Sequence, residues 1–337
     1  MRIEAFKYLR PQSLNEACAF LSTSGNGAKV LAGGSDVLVA LKQNRIRPEA
    51  VVDIRGVDEL RQLKFDDKGL KIGSLVTLDK VADDEKIQKS FTVLSEAALS
   101  VGAVQHRTMG TVGGNICLDT RCWFFNQSAP WRKARAVCSK LGGNICHVVN
   151  KGGVECHAAF SADFATALVA MDAEVTLSSK TGERVLPLNE FYTGDGIRPN
   201  VLQANEIVRE VGVGKSPYEV KSVYLKQRIR DAIDFAQAGV AIALWVDKGT
   251  AEIKKARIVL NALGPRPIVV PEAEAILLNG KIDKKALLEL QRVASKASKP
   301  VKNIFGATVS YRREMAGVLA GEGIGRLLEL NKGDLSV

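Results

Sequence analysis

The sequence has no run of 18 apolar residues, which excludes a hydrophobic helix of bilayer-spanning length. Its first stretch, MRIEAFKYLRPQSLNEA, lacks the uninterrupted apolar segment of a secretory signal, because Pro11 and Glu16 break it early. The expected location is cytoplasmic. No internal repeat and no low-complexity tract occurs. Lysine and arginine exceed the acids by a net +10, yet they are dispersed, and the group Arg132, Lys133 and Arg135 carries no RNA- or DNA-binding motif. The excess reads as a solvated basic face, and no nucleic-acid partner is expected. Cysteine and histidine are scarce, 6 and 3 in 337 residues.

What is present is an ordinary soluble balance, 46% hydrophobic and 25% charged, with length for about two or three domains. Ser13 and Glu16 have capping-box spacing ahead of a helix whose apolar face is Leu14, Ala17, Cys18 and Leu21, so Cys18 reads as a small core residue. Strands are expected at Lys29–Ala32, Val51–Ile54, Leu70–Leu75, Gly239–Val246 and Ile253–Leu260, with a hairpin around Lys180–Gly182. Helices are expected at Val37–Lys42, Thr77–Ala82, Phe91–Val101, Phe164–Met171, Pro271–Leu278, Lys284–Ser298 and Arg312–Leu330. The fold class is α+β, with a boundary at Ser216-Pro217.

Two glycine loops stand out. Leu31–Leu38 reads LAGGSDVL and leads from a strand into a helix, where backbone N–H groups can hold an anion. Ser35 is placed either to cap that helix or to bond a phosphate oxygen. It is neither a Walker loop nor GxGxxG. Gln105–Ile116 reads QHRTMGTVGGNI and supplies Gly110, Gly113 and Gly114 with Thr111 and Asn115 as hydrogen-bonding side chains. Two such loops in one chain point toward a dinucleotide, since a pyrophosphate needs several donors.

Together, LAGGSDVL and RTMGTVGGNI resemble the flavin-binding subunits of the molybdenum hydroxylase (xanthine oxidase) family. The resemblance continues at Ser161–Val175, Asn205–Val208 and Tyr224–Gln227. It implies a two-part FAD-binding domain over residues 1–216, with subdomains 1–56 and 57–216, followed by a small C-terminal α+β domain over 217–337. It implies that Ala32, Gly33, Gly34, Ser35, Asp36 and Val37, with Gly110, Thr111, Gly113, Gly114 and Asn115, wrap the FAD pyrophosphate and adenosine side. By the same resemblance Asp163 bonds the flavin's polar groups, Val208 packs near the isoalloxazine and Lys226 influences its charge. Without it, Asp163 reads as a helix N-cap and Lys226 as a surface lysine on a strand.

Five of the six cysteines and two of the three histidines fall in one segment, about residues 117–160, between the second loop and Ser161. The spacing is C-x4-C-x15-C-x7-C-x9-C, neither paired zinc knuckles nor a ferredoxin run. Four thiolates suit a [4Fe–4S] cluster or a structural zinc, and spacing alone leaves both open. The insertion resembles that of the flavoprotein subunits in the 4-hydroxybenzoyl-CoA reductase branch of the family, which carries a [4Fe–4S] cluster. The ligand set so implied is Cys122, Cys138, Cys146 and Cys156, with Cys117 pinned in the flavin domain. Also implied are a molybdopterin-binding large subunit, a [2Fe–2S] small subunit and a ferredoxin-like donor. The expected function is electron transfer from that donor toward the molybdenum subunit of an aromatic acyl-CoA reductase. The alternatives are the FAD subunit of an oxidative molybdenum hydroxylase and a zinc-containing non-redox binding protein.

Overall fold

The computed structural model describes residues 3–149, 155–278, 282–302 and 307–330. The parts of the inserted segment and of the C-terminal domain that fall at 150–154, 279–281, 303–306 and 331–337 lie outside the described residues.

The chain begins with a parallel three-stranded sheet, β1 (Lys7–Leu9), β2 (Ala28–Leu31) and β3 (Ala50–Asp53), in the order β1-β3-β2. The central strand β3 is buried along its whole length, as a parallel strand covered on both faces must be. Helix α1 (Leu14–Ser24) buries Leu14, Ala17, Cys18 and Leu21, the face its spacing predicts, and Ser13 Oγ accepts from Glu16 N at its start. Helix α2 (Val37–Lys42) follows the first glycine loop.

The second sheet is antiparallel: β4 (Leu63–Asp66), β5 (Gly69–Gly73), β6 (Glu174–Ser179), β7 (Gly182–Pro187) and β8 (Ile207–Gly214), in the order β4-β5-β8-β6-β7. Between β5 and β6 run α3 (Leu78–Asp83), α4 (Glu85–Ser90), α5 (Thr92–Leu99), α6 (Val104–Met109), α7 (Val112–Ile116), the inserted α8 (Ala129–Lys133), and α9 (Asp163–Ala170). Helix α9 is buried on every side, which is why its sequence shows apolar and small residues without a polar stripe. Helix α10 (Leu188–Phe191) closes this part.

The third sheet is antiparallel, β12-β11-β10-β9, from β9 (Glu219–Gln227), β10 (Ala238–Val246), β11 (Ile253–Asn261) and β12 (Ile268–Val269). Strand β10 is wholly buried. Its Ala241, Ala243 and Trp245 join the core around α9, and Val240, Ile242 and Leu244 join the core under α11 (Pro271–Leu278), α12 (Lys284–Ala297) and α13 (Val309–Leu327). The small residues on the first face let α9 lie close to the sheet, so the two parts of the chain share one core. That same face presents β9 side chains to the start of α9, where the site begins.

Three expectations need adjustment. The GGN stretch is a short helix, α7, because Thr111 Oγ1 accepts from Gly114 N and caps it. The inserted segment has regular structure of its own in α8 and a turn of 3-10 helix at Ser139–Leu141. The last helix starts at Val309, where Thr308 Oγ1 accepts from Tyr311 N, three residues before the expected Arg312.

Candidate functional site

A cavity of about 690 Å³ lies where the three-stranded sheet, the second glycine loop and the start of α9 converge. Its wall contains Ala32, Gly33, Gly34, Ser35, Asp36, Val37, Gly110, Thr111, Gly113, Gly114, Asn115, Asp163 and Val208. The two loops touch each other, since a Cβ on Gly33 would sit 1.7 Å from the Met109 carbonyl oxygen; one on Gly113 would sit 2.6 Å from Ser74 Cβ, just past the end of β5. Glycine is therefore required for the backbones to approach, and Gly34 also has φ +78°. Asp36 does not cap α2 with its side chain; its carboxylate instead accepts from Arg121 Nη2 at 2.6 Å.

Asn115 has a role its sequence context did not reveal. Its Oδ1 accepts from Ala165 N, 3.1 Å away, and so satisfies the start of α9. Asp163, the first residue of α9, is thereby released from capping. Its Oδ1 accepts from Tyr224 Oη (2.5 Å) and Asn261 Nδ2 (2.9 Å), and its Oδ2 accepts from Lys226 Nζ (2.7 Å). Lys226 also donates to the Ser100 carbonyl at 2.9 Å. It is buried and does not line the cavity, so any influence it has on the cavity's contents runs through Asp163. Burial, then the Asp163 charge, push the Tyr224 hydroxyl well above its ordinary pKa, which keeps it a donor. Tyr224 and Asn261 were missed by sequence reading. The usable signal was Tyr224 two residues before Lys226, hence on the same strand face, and a polar residue ending the buried run of β11. Gly239, opposite both Lys226 and Asn261 in the sheet, leaves the space in which these side chains meet: a Cβ there would lie 2.9 Å from Tyr224 Oη.

A second cavity, of about 420 Å³, adjoins the first. Arg121, Ser161, Ile233, Asp234 and Phe235 belong to both walls. Cys122, Cys138, Cys146 and Cys156 line this second cavity, along with Trp123, Phe124 and Phe125. Cys117 does not; it lines the larger cavity, and burial pushes its thiol up to about 11. Burial likewise raises Cys122 and Cys156, opposed by backbone N–H groups of Phe125 and Phe124 on the first sulfur and of Ala158 on the second. Val149 N donates to Cys146 Sγ at 3.4 Å. Among the described residues, no three His, Cys, Asp or Glu side chains converge closely enough to hold a single metal ion.

The charges around this second cavity are unbalanced. Arg121 pairs with Asp36, and Lys140 Nζ lies 2.5 Å from Asp119 Oδ1. Arg132 and Arg312 are buried, bond backbone carbonyls, and pair with no carboxylate among the described residues. His147 and His157 also line this cavity but have partners of their own: His147 stacks on Phe124 at 3.9 Å and its Nε2 bonds the Ala136 carbonyl, while His157 lies 4.0 Å from Glu155. His106 lines the larger cavity and its Nδ1 accepts from Ala103 N.

Residues 4–215 match the family model described as the FAD binding domain in molybdopterin dehydrogenase, and residues 223–327 match the CO dehydrogenase flavoprotein C-terminal domain. The chain belongs to the molybdopterin dehydrogenase flavoprotein family. It is 30% identical over 268 residues to the caffeine dehydrogenase subunit beta of Pseudomonas sp. (strain CBB1), covering 80% of this chain and 76% of that one. It is 29% identical to the FAD-binding subunit of the Escherichia coli (strain K12) aldehyde oxidoreductase, covering 94% of this chain and 98% of that one. The fold matches that of the carbon monoxide dehydrogenase from Hydrogenophaga pseudoflava, with TM-score 0.79 and 24% identity over 98% of this chain and 99% of that one. The FAD-binding domain match spans both glycine loops that line the larger cavity. Its interlocked glycine loops suit a cofactor whose phosphates must lie against backbone. Among the described residues no helix is long and apolar enough to cross a membrane.

Proposed function

We propose that this flavoprotein is the electron-transfer subunit of a molybdenum-containing aromatic acyl-CoA reductase of the 4-hydroxybenzoyl-CoA reductase type. In this reading Cys122, Cys138, Cys146 and Cys156 hold a [4Fe–4S] cluster. The observation that carries it is that four of the insertion's five cysteines surround one cavity sharing a wall with the FAD site. Two further features support it. The sulfurs of Cys122, Cys146 and Cys156 receive backbone N–H bonds, which favour a charged, ligating sulfur. Arg312, in the wall of the same cavity, is buried and pairs with no carboxylate among the described residues, a positive charge that an anionic thiolate cluster would balance.

When bound, the two groups supply one-electron exchange at the cysteines and one- or two-electron exchange at the flavin site. The chain's own residues bind and orient: the glycine loops offer N–H donors, Asp163 presents a carboxylate fixed by Tyr224, Asn261 and Lys226, and Phe235 with Arg121 separates the cavities. The partners in this reading are a molybdopterin-binding large subunit, a [2Fe–2S] small subunit and a ferredoxin-like donor. Substrate binds in the large subunit, so the isolated chain does not dehydroxylate an aromatic thioester.

The second reading, a subunit of an oxidative molybdenum hydroxylase, is favoured by the relatives' own names, caffeine dehydrogenase and aldehyde oxidoreductase among them. Anaerobic purification with iron, acid-labile sulfide, zinc and flavin analysis tests the cluster: about four irons per chain with sulfide support it, and one zinc without sulfide refutes it. Steady-state assays of the whole complex, with reduced ferredoxin and acyl-CoA or with substrate and an oxidising acceptor, decide direction.

A further inference from the structure

Helix α2 borders the larger cavity through Val37 and Val39. It starts at the first glycine loop, has only six residues, and lacks a side-chain cap at its start. A helix this short has little stability of its own and must be held from outside. Two arginines of the cysteine insertion hold it at its two ends. At the N-terminal end, Arg121 Nη2 lies 2.6 Å from Asp36 Oδ1, and Arg45 Nη2 approaches the same oxygen at 3.6 Å. At the C-terminal end, Arg132 Nη2 donates to the carbonyls of Gln43 (3.2 Å) and Asn44 (3.0 Å), groups that a helix end leaves without partners. The other arm of Arg132 is fixed within the insertion by the Phe125 and Gln127 carbonyls. Arg121 directly precedes Cys122, and Arg132 lies between Cys122 and Cys138. The Arg121 guanidinium lies over the Phe235 ring at 4.8 Å, in the wall common to both cavities.

We propose that Arg121 and Arg132 are positioning residues that clamp α2, so that filling the cysteine-lined cavity and binding FAD strengthen each other. The inference rests on the cluster reading above. The insertion has little regular structure, α8 and one 3-10 turn, so its order depends on whatever the four cysteines hold. When that order is lost, both ends of α2 lose their partners, and the glycine loop that α2 anchors loses its fixed approach to FAD. Linkage requires the converse: bound FAD, by fixing the loop and Asp36, holds the insertion closed over its contents.

The experiment uses the full chain prepared anaerobically. FAD dissociation constants are measured by flavin fluorescence before and after iron removal with a chelator and mild oxidant, and the rate of iron loss is measured with and without saturating FAD. The expected result for the unaltered chain is about tenfold weaker FAD binding once iron is removed, with iron loss slowed by FAD. R121Q/R132Q should keep its iron stoichiometry while its FAD affinity no longer depends on iron, and R121K should restore part of the dependence. Iron that is present but without effect on FAD affinity overturns the coupling alone. Loss of coupling in neither R121Q/R132Q nor its single variants overturns the assignment to these arginines. A chain without iron or sulfide overturns the cluster reading and this inference with it.

Discussion

Lys226 Nζ lies 2.7 Å from Asp163 Oδ2, and both side chains are at most 5% exposed. The pair joins a strand of the C-terminal sheet to the helix whose first residue, Asp163, lines the larger cavity. A buried ion pair contributes little net stability compared with an apolar pair, but removing one partner strands the other charge.

K226M is therefore expected to cost about 3–5 kcal/mol, read as a lower urea midpoint of the FAD-free chain. D163N/K226M, which leaves no unpaired charge, should recover much of that loss. Equal destabilisation in the single and double variants would show that the charge pair is not what matters at this position.

G33A should purify with little or no FAD. The new methyl would collide with the Met109 carbonyl, a backbone atom that cannot move without separating the two loops. G142A is the control, since Gly142 faces open space; its φ of +89° makes the change strained but local. Flavin released per chain on denaturation measures both, and normal flavin content in G33A would contradict the interlocked-loop geometry.

Stability should fall in acid through Asp53. Burial alone would raise its pKa, but bonds from Arg55 and Tyr8 win and hold it down at about 2 against an ordinary 3.8. The folded state thus favours the carboxylate, and its contribution of about 2 kcal/mol is present above pH 4 and lost as pH falls toward 2. Urea midpoints across that window should show a shallower slope in D53N than in the unaltered chain.

Serine in place of Cys122, Cys138, Cys146 or Cys156 should each lower bound iron, whereas C117S should leave it intact. Because burial pushes the Cys117 thiol up to about 11, its alkylation in the FAD-free folded chain should keep accelerating as pH rises past 9 toward 11. In the unfolded chain the rate should level off near the ordinary thiol value. Peptide mass spectrometry after timed iodoacetamide treatment separates Cys117 from the others.

Much of the architecture was readable because it depends on local pattern. The α1 face, the hairpin at Lys180–Gly182 and the strand-loop-helix of LAGGSDVL each follow from spacing within a dozen residues. Strands β1 and β8 were not anticipated. Lys7–Leu9 is short and mostly exposed, and Ile207–Gly214 is interrupted by Arg209 and Glu210; both are strands because neighbours pair with them. Lys226 was misjudged as a surface residue in the reading from residues alone, since nothing near it in sequence shows that Asp163 and the Ser100 carbonyl close over it.

The sequence by itself determined the glycine loops, the cluster of cysteines and the alternation that builds the sheets, because those are properties of chemistry and short-range spacing. Only the tertiary structure decided that Cys117 turns to one cavity and the other four insertion cysteines to another, that Asn115 frees Asp163 by holding α9 in its place, and that Arg121 and Arg132 grip α2. These relationships join residues tens of positions apart, and their energies come from burial and paired charge, which exist only once the chain has closed on itself.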